Sequence, residues 1–338
     1  MNQLLQTILS TKRAHNSKGD LLFRSWLTKH IQSLGYIADI VGNGNIAVAV
    51  GKSCSLFCCH LDTVHNVEES DGTAQTLSED FGLVGVMDSS CLGADDGVGI
   101  YIMLEMIRAG VPGVYLFHVG EEVGCQGSRY LAVHEREWLS TFERAIAFDR
   151  AVHPGQRPEV ITHQSGMRCA SDEMGQALAD ALNKVDPSLG YEPSDRGVLT
   201  DTLEYIEIVP ECLNLGCFYD LQHSKAEYVD IERVEALKEA CLVIDWESLP
   251  TKRDPHVVED EPRWGYGMGS DVEVEMALDD WYDGDEEPIK GLIAETIWPE
   301  DPARVYKFID MSRMNDDVAE SAYRRGVDAL IDALVVDL

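Results

Sequence analysis

An ordered series of acidic and histidine clusters runs along the chain: His60-Leu61-Asp62-Thr63, Gly93-Ala94-Asp95-Asp96-Gly97, Glu121-Glu122-Val123-Gly124, Phe148-Asp149-Arg150 and Gln222-His223-Ser224. Two borderline divalent cations held a few ångströms apart need these donor types, imidazole nitrogens for the outer positions and carboxylates to bridge or cap. In a strand, His60 and Asp62 would face the same way, so that the carboxylate could orient the imidazole or its neighbours. Two adjacent carboxylates at Glu121-Glu122 repel unless a cation neutralises them or one takes up a proton. That tension suits a metal ligand beside a general base. Taken singly, each cluster fits an ordinary helix cap, a packed histidine or a solvated pair. The joint order His, Asp, Glu-Glu, Asp, His, with several members at strand ends, is what points to a site.

The elements that must position these residues alternate between apolar strands and helical patterns, the signature of a mainly parallel sheet covered by helices. Spacing predicts helices over Asp20 to Leu34, Asp96 to Ile107, Asp172 to Leu182 and Ile231 to Asp245. Strands are expected at Ile37 to Val41, Ile46 to Val50, Ser55 to Cys59, Gly113 to Val119, Ala145 to Phe148 and Cys212 to Gly216, with Gly42-Asn43-Gly44 as a turn. Glu121-Glu122 and Asp149 then follow strand ends. His223 falls in a loop after a strand.

From Pro250 onward the chain becomes dense in Asp, Glu, Gly and Pro, so residues 1–249 are read as the catalytic domain and 250–338 as a small acidic C-terminal extension. Trp264, Tyr266, Trp281 and Trp298 give that extension material for a small core, and Asn315 to Val336 reads as a final amphipathic helix.

Charge and composition exclude several classes of function. A formal net charge of -33 opposes direct nucleic-acid binding, because the phosphate backbone would be repelled. No apolar run approaches the roughly 20 residues of a membrane helix, and the start lacks the basic and apolar blocks of a signal peptide. The nine cysteines are odd in number and form no CxxC pair, so they read as reduced core residues. A cytoplasmic protein with no membrane partner is expected.

With these segments in hand, the chain resembles the co-catalytic zinc exopeptidases, which include bacterial aminopeptidases, tripeptidase and carboxypeptidase G-like enzymes, and related deacylases. The matching stretches are Cys59 to Val64, Gly93 to Gly99, Glu121 to Ser128, Asp149, and Gln222 to Glu227, and the resemblance covers roughly residues 1–249. It implies a three-layer α/β/α fold with a mixed, mainly parallel central sheet of the phosphorylase/hydrolase type.

By the same resemblance, His60 and Asp149 would hold one metal, Glu122 and His223 the other, and Asp95 would bridge both. Asp95 is chosen over Asp96 because the family's bridging Asp stands four residues before the glycine that is here Gly99. Asp62 would orient His60, and Glu121 would act as general base and later as general acid. Tyr219 could donate to the oxyanion or be a packed loop tyrosine. The implied cofactors are two divalent ions, zinc first, with cobalt or manganese able to take the same geometry.

Asp149 and His223 are too close in sequence for the lid or dimerisation module of the tripeptidase branch, which favours the compact aminopeptidase branch. Leu199-Thr200-Asp201-Thr202 resembles a pocket-lining stretch of that branch, and equally a helix cap. Arg150 departs from the family pattern; it could bind a substrate carboxylate or pair with an acid. The expected activity is hydrolysis of short peptides as an aminopeptidase or dipeptidase, by water that the cations activate. An N-acyl amino acid amidohydrolase or carboxypeptidase with the same site is the alternative, and a catalytically silent acidic binding module is the alternative from another class. Homo-oligomerisation is compatible with either enzyme.

Overall fold

Along the strands that run through the middle of the protein, successive side chains enter two different cores. Phe57 and Cys59 lie in one apolar cluster while Leu56 and Cys58 lie in a second; Tyr115 and Phe117 alternate with Leu116, and Ile146 and Phe148 with Ala145 and Ala147. A strand whose odd and even positions are both apolar is buried on both faces, so a sheet with helices on each side follows. The computed structural model describes residues 1–257 and has this architecture.

In chain order the elements are α1 (Gln3–Leu9), α2 (Lys18–Ser33), β1 (Asp39–Val41), β2 (Asn45–Val50), β3 (Ser55–His60), β4 (Leu77–Asp80), β5 (Leu83–Val86), α3 (Ala94–Ala109), β6 (Gly113–His118), α4 (Gln126–His134), α5 (Arg136–Leu139), β7 (Arg144–Arg150), β8 (Glu159–Ile161), β9 (His163–Gln164), β10 (Met167–Arg168), α6 (Asp172–Val185), β11 (Glu192–Ser194), β12 (Glu211–Gly216), β13 (Tyr219–Asp220), β14 (Tyr228–Asp230) and α7 (Ile231–Val243). Eight strands form the central sheet in the order β1-β2-β6-β3-β7-β12-β8-β11. Its middle, β6-β3-β7-β12, is parallel, whereas β1-β2, β2-β6 and β12-β8 pair antiparallel. The sheet is thus mixed and mainly parallel, and the fold is α/β.

Helix α3 packs on β3 and β7. All its residues from Ala94 to Ile107 are buried, as expected of a helix that is apolar all round. A smaller four-stranded sheet, β13-β14-β5-β4, hangs the loop 221–227 between β13 and β14. Residues 151–222 add strands and α6 to the central fold, and no separate lid module interrupts them.

Helix α2 begins earlier than the acidic start signal at Asp20 suggests, because the Ser17 side chain accepts the Asp20 amide and caps the helix there. Asp20 instead sits in the first turn and pairs with Arg24. Of the segment expected as an acidic extension, residues 250–257 are described. There Lys252 and Arg253 donate their amides to Glu211, and the Arg253 guanidinium binds the carbonyls of Ile206, Val209 and Pro210. The expected aromatic cluster and the helix Asn315 to Val336 lie outside the described residues. Among the described residues, no helix is long and apolar enough to cross a membrane.

Candidate metal centre

Parallel strands that run side by side deliver their C-terminal ends to one edge of the sheet, and that edge gathers the candidate ligands. His60 is the last residue of β3, Asp149 lies near the end of β7, and Glu121-Glu122 follow β6. Asp95 enters from the start of α3 and His223 from the loop between β13 and β14. The Asp95-Asp96 peptide bond is cis.

Asp95 occupies the middle of the cluster. Its Oδ1 lies 2.9 Å from His60 Nε2 and its Oδ2 lies 3.2 Å from His223 Nε2. Asp149 Oδ1 approaches the same His60 nitrogen at 3.7 Å, and Glu122 Oε1 approaches the same His223 nitrogen at 3.1 Å. Two ligand groups result, His60 with Asp95 and Asp149, and Asp95 with Glu122 and His223, each with donor atoms within 4.8 Å of one another. A third group joins Glu121 to His60 and Glu122. The donor set fits a pair of divalent cations sharing Asp95: imidazole and carboxylate in each half, with the ring nitrogens converging on carboxylates.

The charges in this cluster are strongly perturbed. Burial pushes Glu121 up to about 9 and Asp149 up to about 6, with neighbouring carboxylates adding to the shift. Hydrogen bonds to Asp95 and Glu122 raise His223 to about 10. Burial opposes ionisation of Asp95, but the bonds from His223 and His60 outweigh it and hold the carboxyl well below its usual range. Carboxyls shifted in both directions within one buried cluster are the electrostatic pattern that functional sites concentrate.

Neighbouring groups hold the candidate ligands in place. His60 Nδ1 lies 2.9 Å from the main-chain carbonyl of Asp62, which can only accept, so that nitrogen carries the proton and Nε2 is free to ligate. Asp149 is held at both oxygens, by Thr200 Oγ1 at 2.6 Å and Tyr219 Oη at 3.1 Å, and Asn214 pairs with its backbone amide and carbonyl. Glu227 accepts the amides of Leu92, Gly93 and Asp95 at 2.8, 2.9 and 3.0 Å, tying the loop that bears His223 to the loop that bears Asp95. Gly93 has a φ of 72°, and a Cβ there would lie 2.9 Å from His65 Cε1, so only glycine fits this turn. Gly99 answers a different need: a Cβ would meet Asp96 Oδ1 at 2.3 Å.

The structure brings His60, Asp95, Glu121, Glu122, Asp149 and His223 into one cluster, and it alters two of the expected roles. The Asp62 carboxylate does not turn the His60 ring; its oxygens accept the amides of Gly120, Glu121 and Glu122 at 2.8, 3.2 and 3.3 Å. The strand ends at His60, so the same-face geometry that would bring the two side chains together does not continue to Asp62. Tyr219 is buried and gives its hydroxyl to Asp149, so it is not a free oxyanion donor. Asp96, whose oxygens accept the amides of His60 and Gly99, supports the loop. Arg150 pairs with Glu159 at 3.0 Å. Asp201 faces His118 and Ser128 in a buried network. Sequence reasoning missed the supporting roles of Asn214 and Glu227. Glu227 closes the stretch Gln222 to Glu227 that carries the resemblance, but nothing in the sequence assigned it a role.

A model of peptidase family M28 matches residues 44–215, just over half of the chain, and spans His60, Asp95, Glu121, Glu122 and Asp149. The chain belongs to peptidase family M28. Solved structures share the fold of this M28 chain at low sequence identity. The aminopeptidase PepT from Bacillus cereus ATCC 10987 has a TM-score of 0.54 at 15% identity, covering 70% of this chain and 95% of its own. The TET1 peptidase of Pyrococcus horikoshii has 0.54 at 16%, covering 70% and 97%. An aminopeptidase from the archaeon Desulfurococcus kamchatkensis has 0.55 at 14%, covering 79% and 98%. No curated protein matches the M28 chain. The M28 chain is a metallopeptidase, and its reaction is metal-dependent hydrolysis of peptide bonds.

Proposed function

We propose that this M28 chain releases residues from the amino end of short peptides, with two divalent cations, zinc by preference, held by His60, Asp95, Glu122, Asp149 and His223. The observation that carries the reading is the placement of Asp95, with one oxygen toward each of the two histidines. The compact fold, without an inserted lid module between Asp149 and His223, supports the aminopeptidase branch.

When bound, the cations supply a lowered pKa for water and a polarised scissile carbonyl. The protein's own residues do the rest. Glu121 lies beside His60 and Glu122 but outside the two halves that share Asp95, so its carboxyl, which the charge of bound cations would keep ionised, is left to take the proton from the attacking water and return it to the leaving amine. Asp62 sets the position of that base by binding the Glu121 amide. Thr200, Tyr219 and Asn214 keep Asp149 from swinging away from His60.

We place the reaction in the cytoplasm: all nine cysteines are free thiols and eight of them are buried, which suits a reducing compartment. Self-association belongs to the same reading, since TET1 is a peptidase that can assemble into a tetrahedron or a large octahedral shell. Sedimentation of the full chain tests it.

The activity is tested by amino acid release from unblocked and N-acetylated short peptides, with the zinc-loaded protein and with Glu121→Gln. Cleavage of unblocked peptides alone, lost in the variant with metal retained, is the expected result. Cleavage of acetylated substrates would replace the aminopeptidase reading with a deacylase or carboxypeptidase.

A further inference from the structure

Arg13 bonds to the two loops that carry His60 and Asp95. It is fully buried. Its Nε donates to the carbonyl of Leu61 at 2.9 Å, directly after His60, and its Nη2 donates to the carbonyl of Gly93 at 3.0 Å, two residues before Asp95. Nη1 anchors the same guanidinium to the carbonyls of Ile8 and Thr11 at 2.8 and 3.1 Å. The backbone adds to the grip, since Thr63 donates its amide to the Arg13 carbonyl at 2.9 Å.

A buried cation is costly, and it persists when hydrogen bonds and nearby charge offset the lost hydration. Here the hydrogen-bond acceptors are main-chain carbonyls, and the opposing charges of Asp20, Asp96 and Glu227 act through space. A rigid planar fork can reach carbonyls in four directions at once, whereas an ammonium on a flexible stem cannot. Gln75 makes a second link from the same N-terminal segment to the same loop, donating to the carbonyls of Leu9 and Leu92 at 2.6 and 2.8 Å. Arg13 also lies before the stretch that the family model matches.

We propose that Arg13 is a positioning residue that sets the spacing between His60 and Asp95, and through it the affinity for the cation they share. The inference rests on the ligand reading given above. Its action is on ligand geometry, so it differs from a residue that only stabilises the fold. Arg144 provides the comparison: it is equally buried and also binds carbonyls, those of Trp246 and Leu249 at 3.2 and 3.0 Å, but it stands at the opposite end of β7 from Asp149.

The test is a zinc titration of the full-length protein followed by thermal unfolding, for the parent, Arg13→Lys, Arg144→Lys, Gln75→Met and His60→Ala. Arg13→Lys is expected to weaken zinc binding by roughly tenfold or more and to shrink the zinc-induced rise in Tm. Arg144→Lys is expected to lower Tm equally with and without zinc. Parent-like zinc affinity in folded Arg13→Lys overturns the proposal. Should Arg13→Lys fail to fold, Gln75→Met decides: weakened zinc binding supports the clamp, and parent affinity overturns it. A parent protein that shows no zinc-induced rise sensitive to His60→Ala would instead overturn the ligand reading, and this inference with it.

Discussion

His60 is oriented by the backbone of Asp62 and not by its carboxylate. The imidazole Nδ1–H donates to the Asp62 carbonyl at 2.9 Å, while the carboxylate accepts the Gly120 and Glu121 amides at 2.8 and 3.2 Å. The acid therefore supports the loop of the proposed base, and the histidine keeps its tautomer whatever side chain stands at position 62.

Asp62→Ala should separate these two roles. Metal content, measured by atomic emission, is expected to stay near the parent value, while kcat falls by about 10–100-fold because the Glu121-Glu122 loop loses its anchor. Loss of metal in proportion to activity would show that the anchor acts through Glu122, whose amide the carboxylate also accepts, rather than through Glu121.

Glu121→Gln should retain metal and lose activity by roughly 10²–10⁴-fold, the usual contribution of a positioned general base. Isosteric replacement removes the proton acceptor and leaves the ligand groups intact. A kcat within about threefold of the parent would reject Glu121 as the base.

Tyr219→Phe distinguishes support of Asp149 from direct stabilisation of an oxyanion. With the hydroxyl spent on Asp149 Oδ1 at 3.1 Å, the expected effect is weaker zinc binding, about tenfold, with kcat at saturating zinc largely preserved. A fall of about 10²–10³-fold in kcat at saturating zinc would instead assign the hydroxyl to the oxyanion.

His65 gives a pH dependence that lies away from the ligands. Burial lowers it to about 4, against the raising effect of Gln75 and with a further lowering from Arg13. Its Nδ1 accepts from Thr63 and its Nε2 donates to Gln75, so the neutral ring is the bonded form. As pH falls, the unfolded chain binds this proton first, so the folded state binds fewer protons between about pH 6.5 and 4. Stability from this residue is complete above that window, is lost by about 3 kcal/mol as pH drops through it, and levels off below. Urea unfolding at stepped pH should show a shallower decline for His65→Gln than for the parent. Parallel curves would remove His65 as the cause.

Much of the fold is legible along the chain where an element has to satisfy two neighbours at once. Helix α3 is apolar on every side and β3, β6 and β7 at both alternations, because each is covered on all faces. Short pieces were not legible: α1 has seven residues and β9 and β10 two each, too few for a period to show. Helix α4 was missed because its buried residues, Gly127, Ser128 and Leu131, give too little apolar pattern.

The site divides in the same way. Ligand chemistry resides in side-chain identity, so His60, Asp95, Glu121, Glu122, Asp149 and His223 could be named as candidates from type, order and resemblance, and the fold brings them together. Support resides in main-chain carbonyls and amides, which every residue carries and no sequence pattern marks. That is why Arg13, meeting Leu61 and Gly93 from 48 and 80 residues away, was invisible before the chain was folded. It is also why the carbonyl of Asp62, and not its carboxylate, came to hold His60. The sequence alone determined which groups are the candidates to bind cations and move a proton. The tertiary structure decided which backbone atoms hold those groups at ligating distance, because such contacts depend on where distant loops meet.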